Sequence, residues 1–376
     1  MNRIQVMQPL LGEEEAIAAA DVVRSGWVAQ GPKVVEFERQ FTQMISAEHG
    51  IAVSSGTTAL HLAMLALGIG PGDEVVVPSL SFIATASCVR YVGAEPVFAD
   101  VSLETGNLTV ESVDAVRTSR TKAIIGVHQA GVPFDTRALR LAAMAWDLIL
   151  VEDSACAHGT MAYGEPVGTG AALSCWSFHP RKLLTTGEGG MVTTDHAEWG
   201  PHTRRLREHG MSVSALDRHA SAQPVLESYV EIGYNYRMTD IQAAVGLVQL
   251  GRLEGLIAHR RELAARYHEL LADLPVRPVR DPAYGLTNYQ SFWMLLEPEF
   301  GVSRDDVLAE LAAAGVSARR GIMAAHLEPP YLDGKHAPLP NTETLTRQSL
   351  ILPLHHALTE ADQEYIVGVL RKLAGG

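Results

Sequence analysis

The chain has 376 residues, of which 47% are hydrophobic and 19% charged, so it can bury a large core. Its formal charge of −13 argues against a sequence-independent nucleic-acid-binding protein, because such proteins need clustered cations to contact phosphates. Its three cysteines form no CxxC pair, so we predict neither a disulfide framework nor a metal site. No apolar run is long enough for a signal peptide or a membrane span, and we expect a soluble, cytoplasmic protein.

The first two-thirds of the chain alternates between helical and strand-like segments. Helices are predicted at Glu13–Ser25 and Pro32–Ile45. Short apolar runs after them predict strands at residues 50–54, 74–77, 96–99, 123–127, 148–151, 174–178 and 191–193. Several of these runs are continuously apolar, which is typical of parallel strands buried on both faces. The alternation therefore predicts an α/β fold with a mostly parallel sheet of seven strands.

From Thr239 the sequence predicts one long amphipathic helix, which leads into a separate C-terminal lobe. In that lobe we predict a strand at 292–295, a helix at 303–314 and a closing helix from 359. We therefore expect a large domain over residues 1–250 and a smaller α/β domain over 251–376.

The segment SFHPRKLLTTGEGG (177–190) places Lys182 between a buried strand and a glycine-rich turn. An amine forms a Schiff base with a carbonyl cofactor only when it is deprotonated, and partial burial lowers the pKa of a lysine towards that condition. The glycines let a planar ligand approach the backbone closely. Taken alone, the segment is weak evidence for a cofactor site, and a surface lysine in a loop is the favoured interpretation.

Two further segments end strands with polar residues. In VEDSACAHG (151–159), Asp153 lies where ligands bind in α/β sheets, and its carboxylate could keep a pyridinium nitrogen protonated. In VSSGTTALHLAM (53–64), a helix beginning near Thr57 would offer its positive end to a phosphate. A plain helix N-cap explains either segment equally well. The lysine spacing of a nucleotide-hydrolysing P-loop is missing.

Together and in this order, the segments resemble the DegT/DnrJ/EryC1/StrS family of pyridoxal-phosphate-dependent aminotransferases, which act on nucleotide-linked keto sugars. The resemblance covers nearly the whole chain and is carried by residues 25–41, 54–86, 152–159, 177–190 and 233–244. It implies the fold of fold-type I pyridoxal-phosphate enzymes. It also implies a homodimer whose active sites are shared between the subunits.

The resemblance further implies roles for individual residues. Lys182 matches the Schiff-base lysine, which also carries the proton. Asp153 matches the partner of the pyridine nitrogen, and Ser177 matches the phosphate-binding serine. The other predicted cofactor-binding residues are Gly56, Thr57, Thr58, Phe82 stacked on the ring, Ala155 against its other face, Cys156, and Asn235 from the neighbouring subunit. Cys156 departs from the family, which often has Gln, Glu or His there. The predicted substrate-binding residues are His179, Arg237, Arg319, Arg320 and His326.

The predicted reaction has two stages. An amino-acid donor, expected to be glutamate, converts pyridoxal 5′-phosphate to pyridoxamine 5′-phosphate, and a keto sugar then takes the amine. A nucleotide-linked 4-keto-6-deoxy hexose is the favoured acceptor. The alternatives are an aminotransferase for a keto-cyclitol, a sugar dehydratase, and a non-catalytic regulator that binds the cofactor. Dehydratases of the family have histidine at the lysine position, so Lys182 argues against the second alternative. No nucleic-acid or membrane partner is expected.

Overall fold

The computed structural model describes residues 3–213, 218, 223–332, 334 and 336–375. The chain begins with helices α1 (Glu13–Ser25) and α2 (Pro32–Ile45), and both agree with the sequence prediction. In α1 the side chain of Glu15 accepts a hydrogen bond of 2.8 Å from the N–H of Gly12, and three glutamates in the first turn complement the helix dipole. In α2, Pro32 occupies the first helical position, where its missing N–H costs nothing.

A seven-stranded sheet forms the centre of the molecule. Strands of this part of the chain are β1 (His49–Val53), β2 (Glu74–Pro78), β3 (Glu95–Ala99), β4 (Thr121–Val127), β5 (Ile149–Asp153), β6 (Met161–Ala162), β7 (Glu165–Pro166), β8 (Leu173–Ser177) and β9 (Gly190–Thr194). The order in the large sheet is β1-β9-β8-β5-β4-β2-β3. Strand β9 pairs antiparallel with β1 and β8, and the pairs from β8 to β3 are parallel. The predicted class and all seven predicted strands are confirmed.

Helices cover this sheet on both faces. They are α3 (Gly56–Ala66), α4 (Ala84–Tyr91), α5 (Val110–Asp114), α6 (Thr136–Ala145) and α7 (Trp199–Arg207). Val75 and Val77 pack into one apolar cluster, while Val76 packs into another on the opposite face. Successive side chains of a strand point to opposite faces, so this strand is apolar throughout because both faces are buried.

The long predicted helix is confirmed as α8 (Asp240–Leu270), which has 31 residues. Its N-cap is Thr239, whose hydroxyl accepts a hydrogen bond from the N–H of Gln242. The helix packs against α1 and α2. By length and composition alone it could also cross a membrane, but a core helix passes the same test, so a single helix of this kind is weak evidence for a span.

The C-terminal part is built on an antiparallel sheet in the order β10-β12-β14-β13. Its strands are β10 (Val276–Pro278), β12 (Phe292–Leu296), β13 (Arg319–Arg320) and β14 (Ser349–Leu352). Between β10 and β12, β11 (Gly285–Leu286) pairs with β6. The helices are α9 (Arg304–Ala313), α10 (Pro340–Gln348) and α11 (Glu360–Ala374), and short 3-10 turns lie at Gln129–Gly131, Pro298–Phe300, Ala325–Leu327 and Pro329–Tyr331.

The strand predicted in this part and both predicted helices are confirmed as β12, α9 and α11. Strands β10, β11, β13 and β14 have only two to four residues each, too few for a periodic pattern in the sequence. Helix α8 runs across residue 250, and the apolar cluster around this sheet includes Leu80 and Val101 from the first half of the chain. The division at residue 250 stays a prediction.

Candidate active site

Three of the predicted cofactor-binding residues lie where β5 and β8 end and α3 begins. Strands β5 and β8 are parallel neighbours, so Asp153 and Ser177 lie at the same edge of the sheet. Gly56 is packed against this edge, because a Cβ atom on it would lie 2.7 Å from the Cβ of Ser177. Only glycine fits so close an approach. The backbone thus brings the start of α3 against the end of β8, as a shared ligand pocket requires.

Lys182 lies in the loop between β8 and β9 and is partly buried. Its Nζ donates a hydrogen bond of 3.1 Å to Sγ of Cys156, three residues beyond Asp153. The positive charge of Lys182 lowers the pKa of the Asp153 carboxyl group, so the two side chains are electrostatic neighbours. The amine and the carboxylate predicted from separate motifs are therefore close enough in the structure to interact electrostatically.

Asp153 is buried at the end of β5. Burial raises the pKa of its carboxyl group, and hydrogen bonds from Thr85 and from the backbone of Ala155 act in the opposite direction. Thr85 Oγ1 donates to Oδ2 at 2.8 Å, and the N–H of Ala155 donates to Oδ1 at 3.2 Å. A cationic ring nitrogen beside this carboxylate would favour its ionised form. The sequence motifs did not single out Thr85.

The turn before α3 is both a helix cap and the exposed positive end of a helix. Ser55 Oγ accepts from the N–H of Thr58 at 3.1 Å, and Thr58 Oγ1 accepts from the N–H of Ser55 at 3.0 Å. The first hydrogen bond of the helix runs from the N–H of Ala59 to Ser55 at 3.1 Å, so the N–H groups of Gly56 and Thr57 precede the helical ladder. A helix cap and a phosphate site are therefore compatible in this segment, because Thr58 forms the cap while the N–H groups of Gly56 and Thr57 remain outside it.

Phe82 lies between β2 and α4 with 66% of its surface exposed. It is close to the site, because its carbonyl accepts the N–H of Thr85, the residue that holds Asp153. Ala155 and Cys156 are partly buried. The exposed ring and the small alanine suit a flat ligand, and their stacking roles stay predictions.

Asn235 and Arg237 lie beside the turn that precedes α3. The N–H of Ser54 donates to the carbonyl of Tyr236 at 2.8 Å, and Val53 forms a bridge with Arg237. The side chain of Asn235 is exposed, and Arg237 is partly buried. The role of Asn235 as a ligand of the cofactor phosphate in the neighbouring subunit stays a prediction.

The predicted substrate residues occupy different environments. Arg319 and Arg320 are exposed on β13, whereas His326 is buried, with Nδ1 2.5 Å from Oγ of Ser79. His179 is partly buried, and burial lowers the pKa of its imidazole. The structure therefore places His326 inside the protein and the two arginines on its surface, and the substrate roles of these residues stay predictions.

Two amide side chains from the segment before β12 hold the loop that follows β5 and the loop that follows β8. Asn288 Nδ2 donates to the carbonyls of Cys156 and His158, at 2.8 and 2.9 Å. Gln290 Nε2 donates to the carbonyl of Arg181 at 2.6 Å, and Gln290 Oε1 accepts from the N–H of Leu183 at 3.0 Å. Gln290 thus holds the backbone on both sides of Lys182. Sequence reasoning missed both amides, because no local pattern marks contacts across more than 100 residues.

The N-terminal end of a helix, a buried carboxylate, a partly buried lysine and an exposed ring form a set that fits pyridoxal phosphate. A sequence model of the DegT/DnrJ/EryC1/StrS aminotransferase family matches residues 9–371. The chain belongs to this family. The family predicted from the motifs is confirmed over nearly the whole chain.

Solved structures of the family agree with this assignment. The aminotransferase TlmJ from Streptoalloteichus hindustanus is 34% identical with a TM-score of 0.91, over 99% of both chains. DesI, in the presence of its TDP-sugar product, is 32% identical with a TM-score of 0.89, over 100% of this chain and 93% of its own. The putative sugar aminotransferase Spr1654 from Streptococcus pneumoniae, in its PLP-form, is 28% identical with a TM-score of 0.91, over 99% of both chains, and its PMP-form is similarly close.

This DegT/DnrJ/EryC1/StrS aminotransferase therefore has the fold of fold-type I enzymes and uses pyridoxal phosphate, which passes through its pyridoxamine form. The predicted fold type, enzyme class and cofactor are confirmed. Of the alternatives, the non-catalytic regulator and the dehydratase find no support in these relatives, which are described as aminotransferases.

Proposed function

We propose that this aminotransferase moves an amino group from glutamate to a nucleotide-linked keto sugar, with a 4-keto-6-deoxy hexose as the favoured acceptor. The observation that carries the proposal is the hydrogen bond between Lys182 and Cys156 beside the buried carboxylate of Asp153. This arrangement holds the amine of Lys182 near Asp153, the carboxylate that would activate a cofactor ring. The sugar acceptor is supported by the similarity to DesI, whose structure was determined with its TDP-sugar product.

Each residue has a distinct task in this proposal. Bound pyridoxal phosphate supplies a ring that accepts the electrons of a breaking bond at the substrate carbon. Asp153 keeps the ring nitrogen protonated, and Ser177 together with the N–H groups at the start of α3 holds the phosphate. Lys182 anchors the cofactor and then moves a proton at the substrate carbon, so one amine acts as covalent anchor and as general acid and base.

We also propose a homodimer in the cytoplasm with shared active sites. Leu226 and Ile232 are 93% and 87% exposed, close in sequence to Asn235, and such exposed apolar side chains favour a protein–protein contact. The three cysteines are free, which suits a reducing compartment.

The decisive experiment combines cofactor trapping with product analysis. Borohydride reduction followed by peptide mapping should label Lys182. Lys182→Ala should lose transamination by several orders of magnitude and remain folded, because the lysine is only partly buried. Exposed Lys122 offers the control, and Lys122→Ala should keep full activity.

The acceptor is then identified by mass spectrometry of products from nucleotide-linked 3-keto and 4-keto sugars and a keto-cyclitol, with glutamate as donor. An aminated 4-keto-6-deoxy hexose supports the proposal. Amination of the cyclitol alone would replace the sugar acceptor, and label on a lysine other than Lys182 would overturn the site.

A further inference from the structure

Three arginines without a carboxylate partner line one cavity next to the Lys182 loop. They are Arg181, which precedes Lys182, Arg319 on β13, and Arg260 in α8. Within the described part of the chain, none of these guanidinium groups has a carboxylate oxygen within 4.0 Å. Acidic residues outnumber basic ones by 43 to 30, so three unpaired cations around one cavity indicate a site for an anion.

Arg260 forms the inner wall of this cavity and is 4% exposed. Nε and Nη2 donate to the carbonyls of Tyr289 and Gln290, at 2.8 and 2.9 Å. Nη1 faces the thioether sulfur of Met7 at 3.8 Å, and a thioether is a weak acceptor. Burial lowers the pKa of Arg260 to about 9, so the group is still charged at neutral pH. A buried charge without a counter-ion is costly, and an anion in the cavity would remove that cost.

Arg319 and Arg181 form the outer wall. Although Arg319 is exposed as a whole, partial desolvation of its guanidinium group lowers its pKa, and the positive charge of Arg181 lowers it further. Arg181 and Arg319 carry like charges that interact, so they repel each other unless an anion lies between them. Arg320, the next residue on β13, points to the other face of the strand, with Nη2 3.9 Å from Oε1 of Glu328.

We infer that this cavity, lined by Arg181, Arg260 and Arg319, binds a carboxylate group of the amino-acid donor. The cavity is small, with a volume of about 60 Å³. A single carboxylate with one or two methylene groups matches a cavity of this size better than the bulkier diphosphate of a nucleotide sugar. The apolar part of the lining, including Ile351 and Leu352, suits the methylene groups.

The position of the cavity also favours the donor. Gln290 lines it and holds the backbone on both sides of Lys182, so a ligand in the cavity is bound next to the reactive loop. The inference rests on the proposed function in one respect, namely that the donor is an acidic amino acid.

The binding test uses the pyridoxal-phosphate-loaded enzyme and glutarate, a dicarboxylate that has no amine to transfer. Isothermal titration should show that Arg319→Gln and Arg181→Gln each weaken glutarate binding about tenfold, because each removes a charge-assisted hydrogen bond. Both arginines are exposed, so neither change removes core packing. Arg280→Gln is the matched control, since Arg280 is exposed and outside the cavity, and its glutarate affinity should equal that of the wild type.

Titration of the same variants with TDP distinguishes a site for the donor carboxylate from a site for the diphosphate of a nucleotide sugar. Unchanged TDP affinity in Arg319→Gln and Arg181→Gln supports a donor site. A loss of TDP affinity with unchanged glutarate affinity would overturn the inference, and so would glutarate affinities equal to the wild type in both variants.

Steady-state kinetics distinguishes failure of the subsite from failure of the proposed function. In Arg319→Gln the KM for glutamate should rise about tenfold, while the KM for the keto sugar stays within twofold. If the wild type binds glutarate through both arginines but aminates no keto sugar, the proposed acceptor is wrong and the subsite stands. If keto sugars are aminated and neither KM changes in the variants, the subsite alone is wrong.

Discussion

His158 is a fully buried histidine two residues beyond Cys156, packed among Phe41, Trp176 and Phe178. Within the described residues, neither of its ring nitrogens has a hydrogen-bond partner. Burial, with a smaller contribution from the positive charge of Lys182, lowers the pKa of His158 to about 3. The ring is therefore neutral at physiological pH, and the pocket around Lys182 does not gain a second positive charge.

This histidine should make the protein less stable in acid. In the unfolded chain its pKa is about 6.5, so between pH 6.5 and 3 the unfolded state binds more protons than the folded state. The contribution of His158 to the free energy of unfolding is then largest above pH 6.5 and falls by about 1.4 kcal/mol per pH unit as the pH decreases from 6.5 to 3. Urea unfolding at pH 7 and pH 5 should show that His158→Leu loses roughly 2 kcal/mol less between these pH values than the wild type does.

His259 provides the comparison, because its side chain is 42% exposed. His259→Leu should keep the wild-type difference between pH 7 and pH 5. An equal loss in His158→Leu and the wild type would show that the buried ring does not cause the acid sensitivity.

At the scale of elements, the segment between β11 and β12 connects the two catalytic loops. Asn288 holds the loop after β5, and Gln290 holds the loop after β8. Both amides come from the part of the chain that leads into the C-terminal sheet. The geometry around Lys182 therefore depends on contacts with this later segment as well as on the strands that carry the catalytic residues.

Gln290→Ala should lower kcat about tenfold while pyridoxal-phosphate affinity stays within twofold, because the Lys182 loop loses two hydrogen bonds but the phosphate turn is unchanged. Stopped-flow measurement of the glutamate half-reaction and cofactor titration give both quantities.

Gln363 is a matched control, since it is buried and donates to a backbone carbonyl in the C-terminal part. Gln363→Ala should lose stability and keep kcat. If both variants lose stability and kcat equally, Gln290 has no specific effect on Lys182.

At the scale of the whole molecule, the proposed dimer determines which subunit completes each site. Asn235 is exposed, and several residues close to it in sequence are exposed and apolar. These features suit a segment that crosses to a neighbouring subunit in a two-fold symmetric dimer.

Mixing two inactive variants tests this arrangement. Lys182→Ala and Asn235→Ala homodimers should each have low activity at limiting pyridoxal phosphate. In a mixed dimer, one site combines intact Lys182 from one subunit with intact Asn235 from the other. Random co-assembly makes about half of the dimers mixed, each with one of two sites intact, so activity should recover to about a quarter of the wild-type value. Co-expression followed by an activity assay measures the recovery, and no recovery would mean that Asn235 serves its own subunit.

Much of the architecture is predictable because its causes are local. Continuous apolar runs predicted the strands of the large sheet, and the bounds of α1 and α2 followed from apolar periodicity between glycine, serine and proline signals. The order of the motifs along the chain by itself indicates the family, the fold type and the cofactor.

The contacts of Asn288, Gln290 and Arg260 could not be predicted in this way. The partners of Asn288 and Gln290 in the loops after β5 and β8 are 107 to 132 residues away in the chain. Met7, which lies beside Arg260, is 253 residues away from it. Residue spacing and capping signals report on neighbours within a few turns, whereas these distant contacts depend on how the whole chain packs. The local sequence therefore accounts for the strands, helices and reactive side chains, and long-range packing accounts for how Lys182 is held and where three unpaired arginines meet.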